Sequence, residues 1–258
     1  MRFTAWTLTA LLFAAGAASA SDDMTVVSKN TLNGKPSGES TSWMSSDHSR
    51  MHTDKHDMII DLKAGTMTTI DNQKKTYYTV TQKDMDELNA KLQERMNSPE
   101  AKKGMQAMQG MAAGMAGEAE VKKTGVTRKV AGYTCEEWVI TMTSMSTMKE
   151  CVTSEVKYPR HAYDAFKAFG AKMQANSPYA SMAKSGKGLA EKMAAIKGYP
   201  VATSMTSDVM GNKTVVETEL ISVSHDAIPA STWEVPAGYT KVENPMLKAM
   251  QRHGGSGG

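Results

Sequence analysis

The chain is poor in what usually builds a core or an active site. It has four phenylalanines in 258 residues, two cysteines, and no excess of either charge. It also lacks short signatures of common catalytic classes: no His-Glu-x-x-His, no phosphate loop and no dinucleotide fingerprint. An enzyme of those classes is therefore not expected, and no cofactor is implied. The near balance of charge excludes a strong field for nucleic acid or an anionic membrane surface. With Arg2 set aside, 29 basic side chains face 27 acidic ones, a net of +2.

Long apolar runs are equally scarce. The one candidate lies in Met1 to Ala20, where Arg2 precedes Leu11, Leu12 and Phe13 and Ala18-Ser19-Ala20 closes with small residues. This reads as a secretory signal cleaved near Ala20, too short to span a bilayer. The expectation is a soluble periplasmic or secreted protein, not an integral membrane protein. Residues 21–243 suit one domain, with a methionine-rich helical insertion at 81–117 and a tail at 244–258.

Methionine is what the chain has in abundance, at 22 residues. Thioethers fill places where Leu or Phe would be expected. They are flexible and polarizable, suited to irregular gaps and adaptable surfaces, and they are soft ligands for Cu(I).

Two cysteines in an exported chain are expected to pair. If Tyr133 to Met142 and Thr147 to Val156 are antiparallel strands folded about Thr143, Cys135 and Cys151 fall directly opposite one another. Redox thiols are the alternative, but the pair is not Cys-x-x-Cys, and strands offer no helix N-terminus to activate a thiol.

Before this hairpin the pattern is one of short strands: Met24 to Asn33, Glu39 to Met51, Met58 to Leu62, Met67 to Ile70 and Thr76 to Val80, punctuated by Asn33-Gly34-Lys35-Pro36 and Asp71-Asn72-Gln73-Lys74. After Val80 the period changes. Thr81 with Asp84 predicts a helix cap, and Met85, Leu88, Leu92 and Met96 follow at helical spacing. Ser98-Pro99 starts a second stripe of Met105, Met108, Met111 and Met115. Beyond Tyr158-Pro159, Tyr163, Phe166, Phe169 and Met173 predict an amphipathic helix, and Met182, Leu189, Met193 and Ile196 another. Strands are predicted on both sides of Gly211-Asn212, with a last one through Trp233-Glu234-Val235. With no βαβ alternation, the fold class is α+β: a curved antiparallel sheet, or half-barrel, with helices on its concave face.

Several pieces in order resemble the exported bacterial family DUF4412: Ser49-Arg50-Met51 before Met58-Ile59-Ile60-Asp61, Asp71 with Lys75-Thr76-Tyr77, Ala131-Gly132-Tyr133-Thr134-Cys135, Gly198-Tyr199-Pro200-Val201 and Val235-Pro236-Ala237-Gly238-Tyr239. That family in turn is similar to the periplasmic lipoprotein-carrier and lipoprotein-sorting folds. The resemblance implies a ligand-holding half-barrel and no chemistry.

The expected function is binding of a hydrophobic or lipid-like ligand, with Met85, Leu88, Leu92, Trp138, Phe166, Phe169, Leu189 and Met193 as candidate wall. A rival reading is copper or zinc binding. His48, His52 and His56 recur every four residues, so one strand would put all three on one face, and Met142, Met145 and Met148 lie near the hairpin tip. The alternatives are a solvated strand for the histidines and a turn capping an apolar edge for the methionines. A third reading is a structural or assembly protein whose methionine helix docks on a partner. Nothing in the sequence sets the oligomeric state.

Overall fold

The computed structural model describes residues 22–99, 120–143, 146–175, 191–209 and 211–248. The strands are β1 Met24–Leu32, β2 Lys35–Met44, β3 His48–Thr53, β4 His56–Asp61, β5 Thr66–Asp71, β6 Thr76–Val80, β7 Glu120–Val130, β8 Tyr133–Thr143, β9 Ser146–Thr153, β10 Tyr199–Val209, β11 Asn212–Ser224 and β12 Thr240–Lys241. Two helices are described in full, α1 Gln82–Met96 and α2 Arg160–Ala175, and a 3-10 turn spans Ala230–Trp233.

All strands belong to one open sheet, in the order β12-β6-β5-β4-β3-β2-β1-β11-β10-β9-β8-β7. Two antiparallel meanders, β1 to β6 and β7 to β11, are sewn together where β1 pairs with β11 (Val26 opposite Val223). The chain therefore leaves one edge of the sheet after β6 and re-enters at the opposite edge with β7. The molecule is mostly β, a curved sheet with few helices, consistent with a half-barrel.

Local chemistry explains the turns. Asn33 and Gly34 both take positive φ (52° and 75°), the requirement of a tight two-residue hairpin, and Ala131-Gly132 repeats it (48° and 88°). The predicted cap forms: Thr81 Oγ1 accepts from the Asp84 amide at 3.2 Å while Asp84 Oδ2 accepts from the Thr81 amide at 2.8 Å. A carboxylate there also complements the helix dipole.

Some expectations need correction. The strand expected from Glu39 to Met51 is two strands, broken where Ser45 Oγ accepts from the His48 amide at 3.0 Å and turns the chain. The strand expected at Trp233 to Val235 is a 3-10 turn with a short extended exit, and the last strand is Thr240–Lys241, parallel to β6. Proline at 229 and 236 brackets the turn and interrupts any ladder.

The disulfide forms between Cys135 and Cys151, but not in the expected register. Glu137, not Cys135, lies opposite Cys151, because the hairpin does not fold about Thr143: Thr143 pairs with Ser146, and the bulge between Thr141 and Thr143 takes back only one residue of that displacement. The cysteines meet on the diagonal with Cα atoms 5.3 Å apart, within the range a disulfide spans. They are buried in a cluster with Met24, Val26, Val201 and Leu220, which draws on both meanders.

Two tests follow. Replacing both cysteines by serine should cost about 3 kcal/mol in urea unfolding, the value of closing a loop of this length, and a reductant should destabilise the parent protein to the same degree. Gly198 has φ 130°, and a Cβ there would lie 2.4 Å from the Thr153 carbonyl oxygen. Gly198→Ala should therefore lower stability by about 2–3 kcal/mol, read in the same assay, because backbone must move to admit the methyl.

Candidate functional site

Strand alternation sorts β3 onto two faces. His48, Arg50 and His52 share one, Ser49 and Met51 the other. On the first face the register puts Trp43 opposite Arg50 and His52 opposite Asp57.

Asp57 is the centre of this face, with only 2% of its surface exposed. Its Oδ2 accepts from Arg50 Nε at 3.1 Å and also from Arg50 Nη2. Its Oδ1 accepts from Asn72 Nδ2 at 2.7 Å and lies 2.6 Å from His52 Nδ1. Burial pushes the carboxyl upward, but hydrogen bonds from Arg50, Asn72 and His52, with the Arg50 charge, outweigh it and leave the pKa below the usual carboxylate value.

The cluster also grips the C-terminal segment. Arg50 Nη1 donates to the carbonyls of Thr232 (2.6 Å) and Glu234 (3.3 Å), and the His48 ring stacks on Trp233 at 5.2 Å. Tyr239 donates its hydroxyl proton to Asn72 Oδ1 at 3.1 Å. Arg50 lies 5.8 Å from the centre of the Trp43 ring, close enough for a cation–π contact. A histidine oriented by a buried aspartate is half of a general-base arrangement. Among the described residues, however, the His52 ring has a hydrogen bond only to Asp57, and no hydroxyl or thiol completes a nucleophilic site. The arrangement is a clamp.

The opposite face is apolar. Met44, Met51, Met58 and Ile60 of β2 to β4 meet Ala162 and Phe166 of α2 around a cleft of about 280 Å³. Tyr158 and Tyr199 stack at 5.9 Å on its wall, and Tyr158 donates its hydroxyl proton to Met44 Sδ at 3.0 Å. Burial, with Tyr158 adding to it, pushes the Tyr199 phenol up to about 12, so it stays neutral at any working pH. Ser42, Ser45, Ser49 and His48 complete the lining, and no Asp, Glu, Lys or Arg belongs to it. Phe166 is 47% exposed, a large apolar ring left in contact with water.

A larger groove of about 640 Å³ runs over β9 to β11. Lys29, Arg128, Glu217 and Glu219 line it, exposed side chains already engaged: Lys29 with Glu219 at 2.7 Å, Arg128 with Glu219 at 3.9 Å, and Glu217 accepting from the Thr31 hydroxyl at 2.8 Å. It reads as a solvated strand face.

Residues 28–239 match the family model described as a domain of unknown function, DUF4412. The chain belongs to this family. No curated protein matches it by sequence. Among solved structures, PNGF-II aligns at TM-score 0.37 and 15% identity, over 88% of this chain and 32% of that chain. MucB in complex with MucA(peri) aligns at 0.34 and 9%, over 86% of this chain and 57% of that one. The Pseudomonas aeruginosa MucA/MucB complex aligns at 0.36 and 8%, over 85% and 58%. The DUF4412 chain thus spans about a third of PNGF-II and under three fifths of MucB, and these distant likenesses transfer nothing to it.

Of the eight wall residues expected from sequence, Phe166 lines the cleft of the DUF4412 domain. Met85, Leu88 and Leu92 lie on α1, with Leu88 buried and the other two half-buried. Trp138 is half-buried on β8 opposite Glu150, Phe169 half-buried on α2, and Met193 half-buried shortly before β10. Leu189 lies outside the described residues.

The histidine triplet does not share a strand. His48 and His52 lie on β3, whereas His56 opens β4 opposite Asp71, and alternation from Asp57 turns it to the other face. Met142 falls at the β8 bulge, Met148 pairs with Ile140 and Met205, and Met145 lies outside the described residues. Among the described residues no three His, Cys, Asp or Glu side chains converge to hold a metal ion. The Arg50–Asp57 clamp was not anticipated. Its one sequence signal was a charged residue at an inward position of each of two neighbouring strands.

Asp57→Asn should destabilise the fold by about 3 kcal/mol at neutral pH, since it leaves the Arg50 charge buried without its partner. Because the folded carboxyl titrates below its unfolded value, its stabilisation is complete above about pH 4 and is lost as pH falls further. The gap between parent and variant in urea unfolding should therefore narrow below about pH 4.

Proposed function

We propose that this domain is a non-enzymatic binding protein of the exported compartment that holds an apolar, lipid-like ligand in the cleft between β2 to β4 and α2. The observation that carries the reading is the lining itself: mostly thioethers, aliphatic chains and aromatic rings, with three serines and His48 and no carboxylate, ammonium or guanidinium, opening onto a half-exposed phenylalanine. A volume of about 280 Å³ is at the small end of ligand clefts, which span roughly 300–1,000 Å³, and suits one acyl segment or a small ring system. Binding would be driven by apolar area removed from water, at about 25 cal/mol per Å², with methionine walls adjusting to varied shapes.

The placement outside the cytosol is supported by the Cys135–Cys151 bond and by the leader-like residues at the start of the sequence. Among the described residues no helix is long and apolar enough to cross a membrane. The half-barrel carrier resemblance fits the single open sheet. On the other face Asp57 has a structural role in this reading, its oxygens joining Arg50, His52 and Asn72.

The test is uptake of an environment-sensitive apolar probe, with native mass spectrometry of protein purified from the exported fraction. Parent protein should bind the probe and release it to fatty acid. Phe166→Asp should weaken binding about tenfold or more with little change in unfolding, because a charge is placed at an exposed position on the cleft. Equal binding by this variant, or none by the parent, would refute the proposal.

A further inference from the structure

We infer that Met44, Met51 and Met58 form a binding site for a soft monovalent cation, Cu(I) or its redox-inert analogue Ag(I), at the mouth of the apolar cleft. The inference does not rest on the apolar-ligand reading, since it uses the sulfur atoms of the wall rather than the space they enclose.

The register gathers the three side chains. Met51 of β3 lies directly opposite Met58 of β4. Met44 of β2 pairs with Ser49, and Met51 with Ser42, so Met44 and Met51 are diagonal neighbours on the same face. Direct cross-strand neighbours have Cβ atoms about 4.5–5.5 Å apart and diagonal ones about 7–8 Å. Met44 and Met58 lie two strands apart, the widest gap of the three, and Met51 stands between them in the one cleft that all three line, where methionine's three rotatable bonds and the open space above Ser42 and Ser49 let the sulfurs converge. Met44 and Met58 are half-buried, while Met51 is 45% exposed, so the group has a route to solvent.

The chemistry of the surroundings selects the ion. Thioethers are neutral, soft donors that favour Cu(I) over Zn(II), Ca(II) or Mg(II), which need thiolate, imidazole or oxygen ligands. The cleft lining contains no carboxylate or thiolate, and its one imidazole, His48, has its ring stacked on Trp233, so a divalent ion would remain uncompensated, whereas a single positive charge shared by three polarizable sulfurs and facing the Tyr158–Tyr199 pair is tolerable. The hydrogen bond from Tyr158 occupies one lone pair of Met44 Sδ and orients the sulfur, leaving its second lone pair for the ion. The copper reading first suggested by His48, His52, His56 and the hairpin methionines thus moves to a different set of residues.

The experiment uses mature, disulfide-intact protein with 13C-methyl-labelled methionine. Ag(I) is titrated without reductant while the methyl resonances are followed, and Cu(I) is titrated anaerobically against a chromophoric Cu(I) chelator. One equivalent should bind more tightly than about 1 μM, with shifts concentrated on Met44, Met51 and Met58, and Zn(II) should not reproduce them. The triple variant Met44→Leu, Met51→Leu, Met58→Leu keeps apolar volume while removing sulfur. It should weaken Ag(I) and Cu(I) at least about tenfold while unfolding in urea close to the parent protein's midpoint. Undiminished affinity in that variant, shifts centred on other methionines, or no binding by the parent would overturn the site. Should the triple variant fail to fold, Met51→Leu, at a half-exposed position, must by itself weaken the ion by a measurable factor or the site is refuted. In the parent protein, ion binding without probe uptake would count against the apolar ligand alone, and probe uptake without ion binding against the metal site alone.

Discussion

A buried carboxylate holds the N-terminal half of the sheet to the end of the chain. Placing Asp57 in the interior would cost several kcal/mol if its charge were left alone, and the fold answers by surrounding it with Arg50, His52 and Asn72. Arg50 has donors to spare, since a guanidinium carries five in a planar fork. It spends two on Asp57 and turns Nη1 to the carbonyls of Thr232 and Glu234. One ion pair thereby fixes a β-hairpin and a segment more than 180 residues away in the chain. The apolar cleft depends on it at one remove, because β3 and β4 supply both the clamp on one face and Met51, Met58 and Ile60 on the other.

That division follows from the period of two. A strand buried on both sides cannot read as a simple apolar and polar alternation, and β4 is such a strand: Asp57, Ile59 and Ile60 are all buried. Ile59 and Asp57 face the C-terminal cover, while Ile60 faces the cleft. The charges gathered on one face leave the other free of them. An uncharged wall of thioethers beside a fully compensated ion cluster is thus a single arrangement seen from its two sides.

Much of this was legible in the residues. Turn chemistry marked the hairpins at Asn33-Gly34 and around Gly211, the Thr81–Asp84 pair marked the start of α1, and the phenylalanines at helical spacing marked α2. What local pattern could not convey was register and return. The cysteine hairpin was judged by symmetry about Thr143, but Thr143 pairs with Ser146, so the turn lies further along the chain and the register moves with it. Trp233 looked like strand because it is a large apolar residue between polar ones, but its role is to stack on His48, a contact set by distant chain. The cleft was sought on the helices that had apolar stripes. Its floor belongs instead to methionines at alternate strand positions, scattered among Ser and His, whose common face becomes visible only when β2, β3 and β4 are aligned.

The two meanders meet only along β1 and β11 within the sheet, yet they are not independent units. The cluster that buries Cys135 and Cys151 also contains Met24 and Val26 of β1, so the disulfide braces a core shared by both halves. The chain then leaves β11, runs past the Arg50 clamp and adds two residues to the edge of β6, with Thr240 and Val242 amides donating to the Lys75 and Tyr77 carbonyls at 2.9 and 2.8 Å. Opening the N-terminal meander therefore requires releasing a segment anchored in the C-terminal one. A long open sheet built mostly from local hairpins could fray from either edge. Tying the last strand back to the far edge makes that fraying costly on the side that carries the cleft, while at the other edge the charged side chains of β7 and a bulge between Lys123 and Thr127 discourage pairing with another chain.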